Sequence, residues 1–241
     1  IVAEDDRVYL PPSMQFNASL SITKSLHLIG GGTDGCTHIA TYGGASTQLF
    51  SITADNVSLE NLCLDIAGGW DGILVDGTAG TALTSVNLKN IRISKTAASG
   101  DTTGIIYNDA AGIIDSPKIN LVCTTGTCNG ISFTDASTVD AAVTSNIYNP
   151  NIILTATSGS TTAISSTDSS SPYAHTKNIY SGYYSSTRTT GTSYGVSSSG
   201  TNSLVYLYGL RGVASDIDVL TSSSGTASTN ATPMLAPFTI A

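Results

Sequence analysis

The segment Asn90-Ile91-Arg92-Ile93 has the pattern of Asn, an apolar residue, any residue and a second apolar residue. The pattern recurs, and a decayed copy follows at Gly209-Leu210-Arg211-Gly212. The other copies are Asn61-Leu62-Cys63-Leu64, Asn120-Leu121-Val122-Cys123, Asn151-Ile152-Ile153-Leu154 and Asn178-Ile179-Tyr180-Ser181. Successive starting positions from 61 to 209 are separated by 29, 30, 31, 27 and 31 residues. A period of this length predicts a solenoid of stacked repeats.

A second pattern lies between these copies and repeats with a similar period. Its members are Gly72-Ile73, Gly104-Ile105, Gly130-Ile131, Ala163-Ile164 and Gly195-Val196. Around both patterns, apolar residues alternate with polar ones over four to six residues, which is typical of strands with one buried face. A single repeat cannot bury that face, so each strand must pair in parallel with its equivalent one turn away. The sequence therefore predicts an all-β, single-stranded parallel β-helix of about seven coils.

The Asn of each repeat has a physical role in this prediction. Asn tolerates the left-handed backbone of a bend, and its amide can hydrogen-bond an identical amide in the next coil. We therefore expect one structural Asn column, formed by Asn61, Asn90, Asn120, Asn151 and Asn178.

The repeats resemble the pectate-lyase-like superfamily of right-handed parallel β-helices, in particular those of bacteriophage tailspikes and tail appendages. The opening adds to the resemblance, because Val8-Tyr9-Leu10-Pro11-Pro12 and Leu20 to Gly32 look like a first coil of such domains. The resemblance covers about residues 7–215 and implies a right-handed coil and a homotrimer. It is weak for activity, because the fold carries lyases, hydrolases, esterases and inert spikes alike.

The period divides the chain into two parts. Residues 1–215 are predicted to form the β-helix, with a Gly-rich insertion near residues 30–46. Residues 216–241 abandon the period, and we expect a C-terminal cap or a subunit-contact segment there.

Composition excludes several classes of function. Only 11% of the residues are charged, and the net charge is −8. The nine basic residues are scattered, which argues against nucleic-acid binding. No apolar run is long enough to insert into a membrane. We expect an extracellular location, on a virion or a cell surface, which fits the cysteines whether they are bonded or free.

The four cysteines allow three pairings and lack the spacing of a zinc site. Cys123 and Cys128 bracket a turn-like Thr-Thr-Gly-Thr that a disulfide would close, and two buried free thiols are the alternative.

Four carboxylates follow the second pattern at similar offsets. Asp76 lies four residues after its repeat, and Asp109, Asp135 and Asp168 lie five after theirs. One hypothesis is a catalytic groove of Asp76, Asp109 and Asp135, and another is a Ca²⁺ site of Asp109, Asp135 and Asp168. The alternative is that each is a solvated turn residue, and no other cofactor is expected.

Other signs of catalysis are weak. His27, His38 and His175 lie far apart in the chain, and none neighbours a nucleophile and carboxylate pair. Lyases that resemble this chain use Arg or Lys as a base. Arg92 and Arg211 are predicted to lie at least two coils apart, which is too far to act on one bond.

Residues for partner or glycan contact can be proposed from the outward positions. Val122, Ile153 and Tyr180 put apolar side chains at the third position of their repeats, which predicts a contact stripe or a surface covered by a loop of the same chain. Trp70 can stack on a sugar or cover a turn. Tyr183 and Tyr184 belong to a tyrosine-rich later half and suit glycans and protein interfaces.

Three functions follow from these patterns. The first is a structural or receptor-binding module of a viral tail spike or fibre that contacts a cell-surface polysaccharide or glycoprotein, without catalysis. The second is a polysaccharide depolymerase, a lyase or glycoside hydrolase with a carboxylate groove. The third is a cellular adhesin or filament subunit.

Overall fold

The chain folds into a column of parallel strands that wind around one interior. The computed structural model describes residues 6–42, 48–77, 82–135, 142–168, 175–200, 202–221 and 226–229. Every regular element among them is a strand, and the strands form a 15-stranded sheet and an 8-stranded sheet. The prediction of an all-β, right-handed parallel β-helix is confirmed, and the number of coils is close to the one predicted.

The column has three faces, because the larger sheet bends along its length and the smaller one closes the third side. The first face contains β1 (Asp6–Leu10), β4 (Leu26–Gly30), β11 (Ala110–Asp115), β14 (Thr144–Tyr148), β17 (His175–Tyr180), β20 (Ser203–Tyr208) and β23 (Thr226–Thr229). The second face contains β2 (Ser13–Phe16), β5 (Thr37–Thr41), β12 (Lys118–Cys123), β15 (Asn151–Ser158), β18 (Tyr183–Thr190) and β21 (Arg211–Ala214). The third face contains β3 (Leu20–Ile22), β6 (Gln48–Ile52), β8 (Asp71–Asp76), β10 (Thr102–Asn108), β13 (Cys128–Asp135), β16 (Thr161–Asp168), β19 (Ser193–Ser199) and β22 (Ile217–Thr221). Two long strands, β7 (Val57–Asp65) and β9 (Leu83–Ala98), cross from the first face to the second.

On the third face, the strand register aligns the copies of the second sequence pattern. The apolar residue of each copy pairs with that of the next coil, as predicted. They are Ile73, Ile105, Ile131, Ile164 and Val196, all with at most 1% of their surface exposed. Stacking of equivalent side chains is therefore what buries the face that a single coil would leave open.

The corner between the first and second faces departs from the predicted Asn column. Only Asn61 and Asn90 stack there, and Asn90 Nδ2 donates a hydrogen bond to Asn61 Oδ1 over 3.0 Å. The corner continues through other residues, and all six corner positions have left-handed φ angles between 48° and 72°. They are Asn61, Asn90, Ser116, Asn149, Ser181 and Gly209.

The other three predicted members lie in other register columns, away from the corner, so that part of the prediction is wrong. Asn120 pairs with Ser94, Asn151 pairs with Lys118, and Asn178 pairs with Asn146. The pattern of Asn followed by alternating apolar residues also fits a strand that begins beyond the corner. It missed Ser116 and Ser181 because it required Asn.

The interior contains one continuous apolar cluster that extends from Ile22 to Leu210. Two disulfides lie within or beside it, and the described residues leave no cysteine free. Cys123 and Cys128 close the turn between the second and third faces, and Cys36 bonds Cys63 of the following coil.

Strands continue past residue 215, where the coil was predicted to end. β22 pairs in parallel with β19, and β23 pairs with β20, so the winding reaches Thr229. The rest of the predicted C-terminal segment, and residues 43–47 of the Gly-rich insertion, lie outside the described residues.

Candidate functional site

A ladder of three tyrosines runs along the first face in the later coils. Tyr148, Tyr180 and Tyr208 occupy one register column and immediately precede the corner. The ring centroids of Tyr148 and Tyr180 are 4.9 Å apart, and those of Tyr180 and Tyr208 are 4.8 Å apart. The rings are nearly parallel, at 11° and 10°. Because strand spacing sets this distance, the fold itself holds the rings in contact.

Around this ladder, the outward side chains of β14, β17 and β20 form a surface that we call the tyrosine face. Asn178 Nδ2 donates to Asn146 Oδ1 over 3.1 Å, which adds an amide ladder beside the ring ladder. None of the nine outward side chains carries a charge. They are Thr144, Asn146, Tyr148, Thr176, Asn178, Tyr180, Leu204, Tyr206 and Tyr208.

The stacked geometry limits what the tyrosine face can bind. The middle ring, Tyr180, contacts its neighbours through both faces, so it presents its edge and its hydroxyl group outward. Desolvation by the neighbouring rings, together with their phenol groups, raises the pKa of Tyr180. The hydroxyl therefore stays protonated at neutral pH and can both donate and accept hydrogen bonds. Rows of neutral donors and acceptors beside apolar ring edges suit a neutral, hydroxyl-rich ligand.

A second outward surface carries positive charge. Arg92 and Lys118 are paired in register on the second face, and both side chains are exposed. The repeat pattern connects Arg92 only with Arg211, which lies in the same column three strands beyond Lys118. The strand register therefore brings two cations together that the repeat pattern did not connect.

The predicted carboxylate groove is not formed. Asp76 pairs with Asn108, one residue away from the column that contains Asp109, Asp135 and Asp168. Because side chains alternate along a strand, this offset puts Asp76 outside and turns Asp109 and Asp135 into the interior, where they are 3% and 0% exposed. Neither interior carboxylate can reach a polysaccharide, and the side chain of Asp168 lies outside the description.

Asp135 instead belongs to a buried charged cluster. Its carboxylate contacts Lys177 Nζ, and His175 Nδ1 lies 3.3 Å from its Oδ1. Burial opposes the charge of Asp135, but His175 and Lys177 overcome that cost and hold the pKa of the carboxyl below its usual value. This carboxylate is therefore an internal ion-pair partner, which leaves the predicted Ca²⁺ site without its central ligand.

The predicted contact residues are dispersed by the register. Val122, Ile153 and Tyr180 lie in three different columns, Tyr180 on the first face and the others on the second. Trp70 and Tyr184 are core residues, 1% and 2% exposed. The stripe prediction is thus wrong, as is sugar stacking by Trp70. Ile153 and Tyr183 remain exposed, at 40% and 44%.

A polar cluster on the early coils was missed by the sequence analysis. His38 Nε2 lies 2.7 Å from Asp34 Oδ2, and Cys36 and Cys63 lie beside them. The sequence does contain a sign of this cluster, because Asp34, Cys36 and His38 stand at alternate positions. In an extended chain, alternate side chains point to the same side, so three residue types that ligate metals lie side by side.

Comparisons with family models, curated proteins and solved structures give no match to this chain. Within the described residues, no helix is long and apolar enough to cross a membrane.

Proposed function

We propose that this chain is an extracellular β-helical module of a bacteriophage tail spike or fibre, of the pectate-lyase-like type, and that it contacts a cell-surface polysaccharide. The single observation that carries the proposal is the tyrosine face. It joins stacked phenols, an amide ladder and threonine hydroxyls without any charge. A rigid, neutral and hydroxyl-bearing surface is suited to a neutral glycan, because it offers many hydrogen bonds at little cost in side-chain entropy.

The assembly that we propose is a homotrimer, with the three columns aligned. Exposed apolar residues such as Ile153 and Val213 on the second face would lie against neighbouring chains. Light scattering of the purified chain should give three times the chain mass of 24.6 kDa. A monomer at all concentrations would contradict the trimer and leave glycan binding to be judged by itself.

The test of the proposed function is retention on immobilised neutral and acidic cell-envelope polysaccharides. We expect a neutral polysaccharide to bind, with an affinity that hardly changes between low and high salt, because no charge takes part. Tyr180→Ala should weaken binding about tenfold, which corresponds to roughly 1.4 kcal/mol. Tyr9→Ala is the matched control, because Tyr9 lies in the same column at the other end and is 69% exposed.

Two results would refute the glycan proposal. One is a failure to retain any neutral polysaccharide, and the other is an equal loss of affinity in Tyr9→Ala and Tyr180→Ala.

A second candidate function is a depolymerase that acts on an acidic polysaccharide. It is supported by the adjacent cations Arg92 and Lys118, since paired cations favour a carboxylate-bearing sugar. Release of unsaturated or reducing ends from an acidic polysaccharide, abolished in Arg92→Ala and unchanged in Arg211→Ala, would favour this candidate. Binding that weakens steeply with salt, without new chain ends, would leave the surface as a binding site only.

A further inference from the structure

Four side chains of types that ligate metals meet on the early coils. They are Asp34, Cys36, His38 and Cys63, and their ligand atoms all lie within 4.8 Å of one another. Cys36 Sγ is 3.8 Å from Asp34 Oδ2 and 4.0 Å from His38 Nε2. One oxygen, one nitrogen and one sulfur thus already surround a common point, with the second sulfur bonded to the first.

These distances are close to those of a tetrahedral zinc centre. Zinc bonds of about 2.0–2.3 Å to nitrogen, oxygen and sulfur give ligand-to-ligand distances of roughly 3.3–3.8 Å. The distance of 3.8 Å from Cys36 to Asp34 is at the upper end of this range, and that of 4.0 Å from Cys36 to His38 is slightly longer. The distance of 2.7 Å between Asp34 and His38 is shorter. Shifts of about 1 Å or less in flexible side chains would bring these three ligands to a common ion.

The surroundings of His38 match those of a metal-binding histidine. Its other ring nitrogen, Nδ1, lies 3.6 Å from Asp65 Oδ2. A carboxylate at the second nitrogen orients a ligating imidazole and increases its basicity.

Exposure provides a path for an ion. The cysteines are buried, at 1% for Cys36 and 6% for Cys63. The side chains of Asp34 and His38 are half exposed, at 50% and 49%. Soft sulfur ligands therefore lie beneath a solvent-facing oxygen and nitrogen, which an ion can reach first.

We propose that Asp34, Cys36, His38 and Cys63 bind one Zn²⁺ or similar divalent ion when the Cys36–Cys63 disulfide is reduced, and that oxidation of the two cysteines releases the ion. A dithiol reductant supplies two electrons, becomes a disulfide and leaves both cysteines as thiols. The ion then displaces the two thiol protons to solvent. In the reverse direction a disulfide oxidant takes up the two electrons and two protons from solvent and becomes a dithiol, the Cys36–Cys63 bond forms again, and the ion leaves. In a reducing compartment the ion links two successive coils, and in an oxidising one the disulfide takes over this link.

The other disulfide provides the contrast. Cys123 and Cys128 are both 0% exposed within the apolar core. Among the residues that the structure describes, no set of three or more metal-ligating side chains includes them. Reduction of that pair should give buried thiols without a metal.

The experiment is a Co²⁺ titration of the whole chain, oxidised and after anaerobic reduction, followed by absorbance. We expect one Co²⁺ per reduced chain, with the d–d bands of a tetrahedral ion and thiolate-to-cobalt charge transfer, and displacement by one Zn²⁺. Oxidised chain should show neither signal. Asp65→Asn should lower the affinity about 10- to 100-fold, because the carboxylate that orients the ligating imidazole of His38 is lost.

Matched variants make the result decisive. His38→Ala and Cys36→Ser/Cys63→Ser should lose the charge-transfer signal, and Cys123→Ser/Cys128→Ser should keep it. If that last variant does not fold, the stoichiometry of one ion in the reduced wild-type chain serves in its place. The proposal is overturned if the reduced chain shows no charge transfer, or if Cys36→Ser/Cys63→Ser or the oxidised chain binds Co²⁺ as tightly as the reduced wild type.

Discussion

The early and late coils share one backbone plan but fill it differently. In one inward column of the third face, the coils up to Asp135 place apolar and aromatic side chains, and the later coils place serines. The column reads Ile52, Val75, Tyr107, Phe133, Ser166 and Ser198. A β-helix therefore requires that equivalent positions stack, and it does not require that they be equally apolar.

In the interior of the later coils, hydroxyl groups form hydrogen bonds with one another where the early coils pack large apolar side chains. Thr161 Oγ1 donates to Ser193 Oγ over 3.1 Å and accepts from Ser186 Oγ over 2.9 Å. Ser166 and Ser203 are 2.6 Å apart between their hydroxyl oxygens. Each such bond contributes about 1 kcal/mol, less than a buried aliphatic side chain. We therefore expect the early coils to be the more stable half.

The outer surfaces differ in the opposite sense. The column that carries the tyrosine ladder holds Glu60, Lys89 and Asp115 in the early coils. Glu60 and Lys89 form an exposed ion pair of 2.8 Å, which contributes little to stability. On the first face, charge therefore lies outside in the early coils, whereas in the later coils the outward side chains are neutral and a buried ion cluster lies inside.

The largest expected effect comes from the ion cluster that links the two halves. Asp135→Ala removes the partner of Lys177 and His175, which are 1% and 0% exposed, and leaves them buried without it. We expect the free energy of unfolding at pH 7, measured with urea, to fall by about 4 kcal/mol. Asp76→Ala, one register position away and facing outward, should change it by less than about 1 kcal/mol.

The stabilisation that Asp135 provides should depend on pH. The folded pKa of Asp135 is lowered, so its stabilisation is present above the unfolded pKa of about 3.9 and is lost as pH falls through the lower folded value. The difference between wild type and Asp135→Ala should shrink correspondingly in acid. Equal losses in Asp76→Ala and Asp135→Ala would show that Asp135 is not buried among charges.

A smaller effect measures the difference between the two interiors. Ile131→Ala opens a cavity in a column of aliphatic side chains, and we expect a loss of about 3 kcal/mol in urea unfolding. Ser166→Ala removes one hydroxyl from the later interior, and we expect a loss of about 1 kcal/mol. Should Ser166→Ala cost as much as Ile131→Ala, the later half would depend on its hydroxyl network as strongly as the early half depends on packing.

The fold could be predicted because its signal is repeated. Each coil contributes an independent copy of the alternation, so errors at single positions do not matter, and the Ile73 to Val196 column emerged in register. The corner could not be predicted equally well, because Asn, Ser and Gly all adopt its left-handed backbone.

The candidate sites depend on register to one residue, and the loops vary in length. The offset of one residue between Asp76 and Asp109 was visible in the sequence. Only the strand pairing shows that this offset turns the side chain of Asp76 outward and that of Asp109 inward. Tyr183 and Tyr184 were singled out from the sequence as tyrosines of the later half, but Tyr148, Tyr180 and Tyr208 were not connected, since only the strand register aligns them as a ladder. The contact of His38 with Asp34 is local in sequence, but its contact with Asp65 joins two coils, so no local pattern reports the whole cluster.

The smallest expected effect concerns the outer surface. Tyr180 stacks on a ring on both sides, and Tyr9, in the same column, pairs with Ile29. Aromatic pairs contribute about 0.5–1.5 kcal/mol beyond buried area, and this ladder is partly solvated, so Tyr180→Ala should cost about 1 kcal/mol in urea unfolding. Tyr9→Ala should stay within about 0.5 kcal/mol of the wild type.

The stabilisation by Tyr180 should also depend on pH. The pKa of Tyr180 is raised in the folded state, so its stabilisation is complete below the unfolded pKa of about 10 and is lost as pH rises through the folded pKa. Unfolding measured across that pH range, together with tyrosinate absorbance, therefore separates a ladder that stabilises the late coils from one that only covers them. Identical stabilities of Tyr180→Ala and wild type on both sides of the transition would assign the stack to recognition alone.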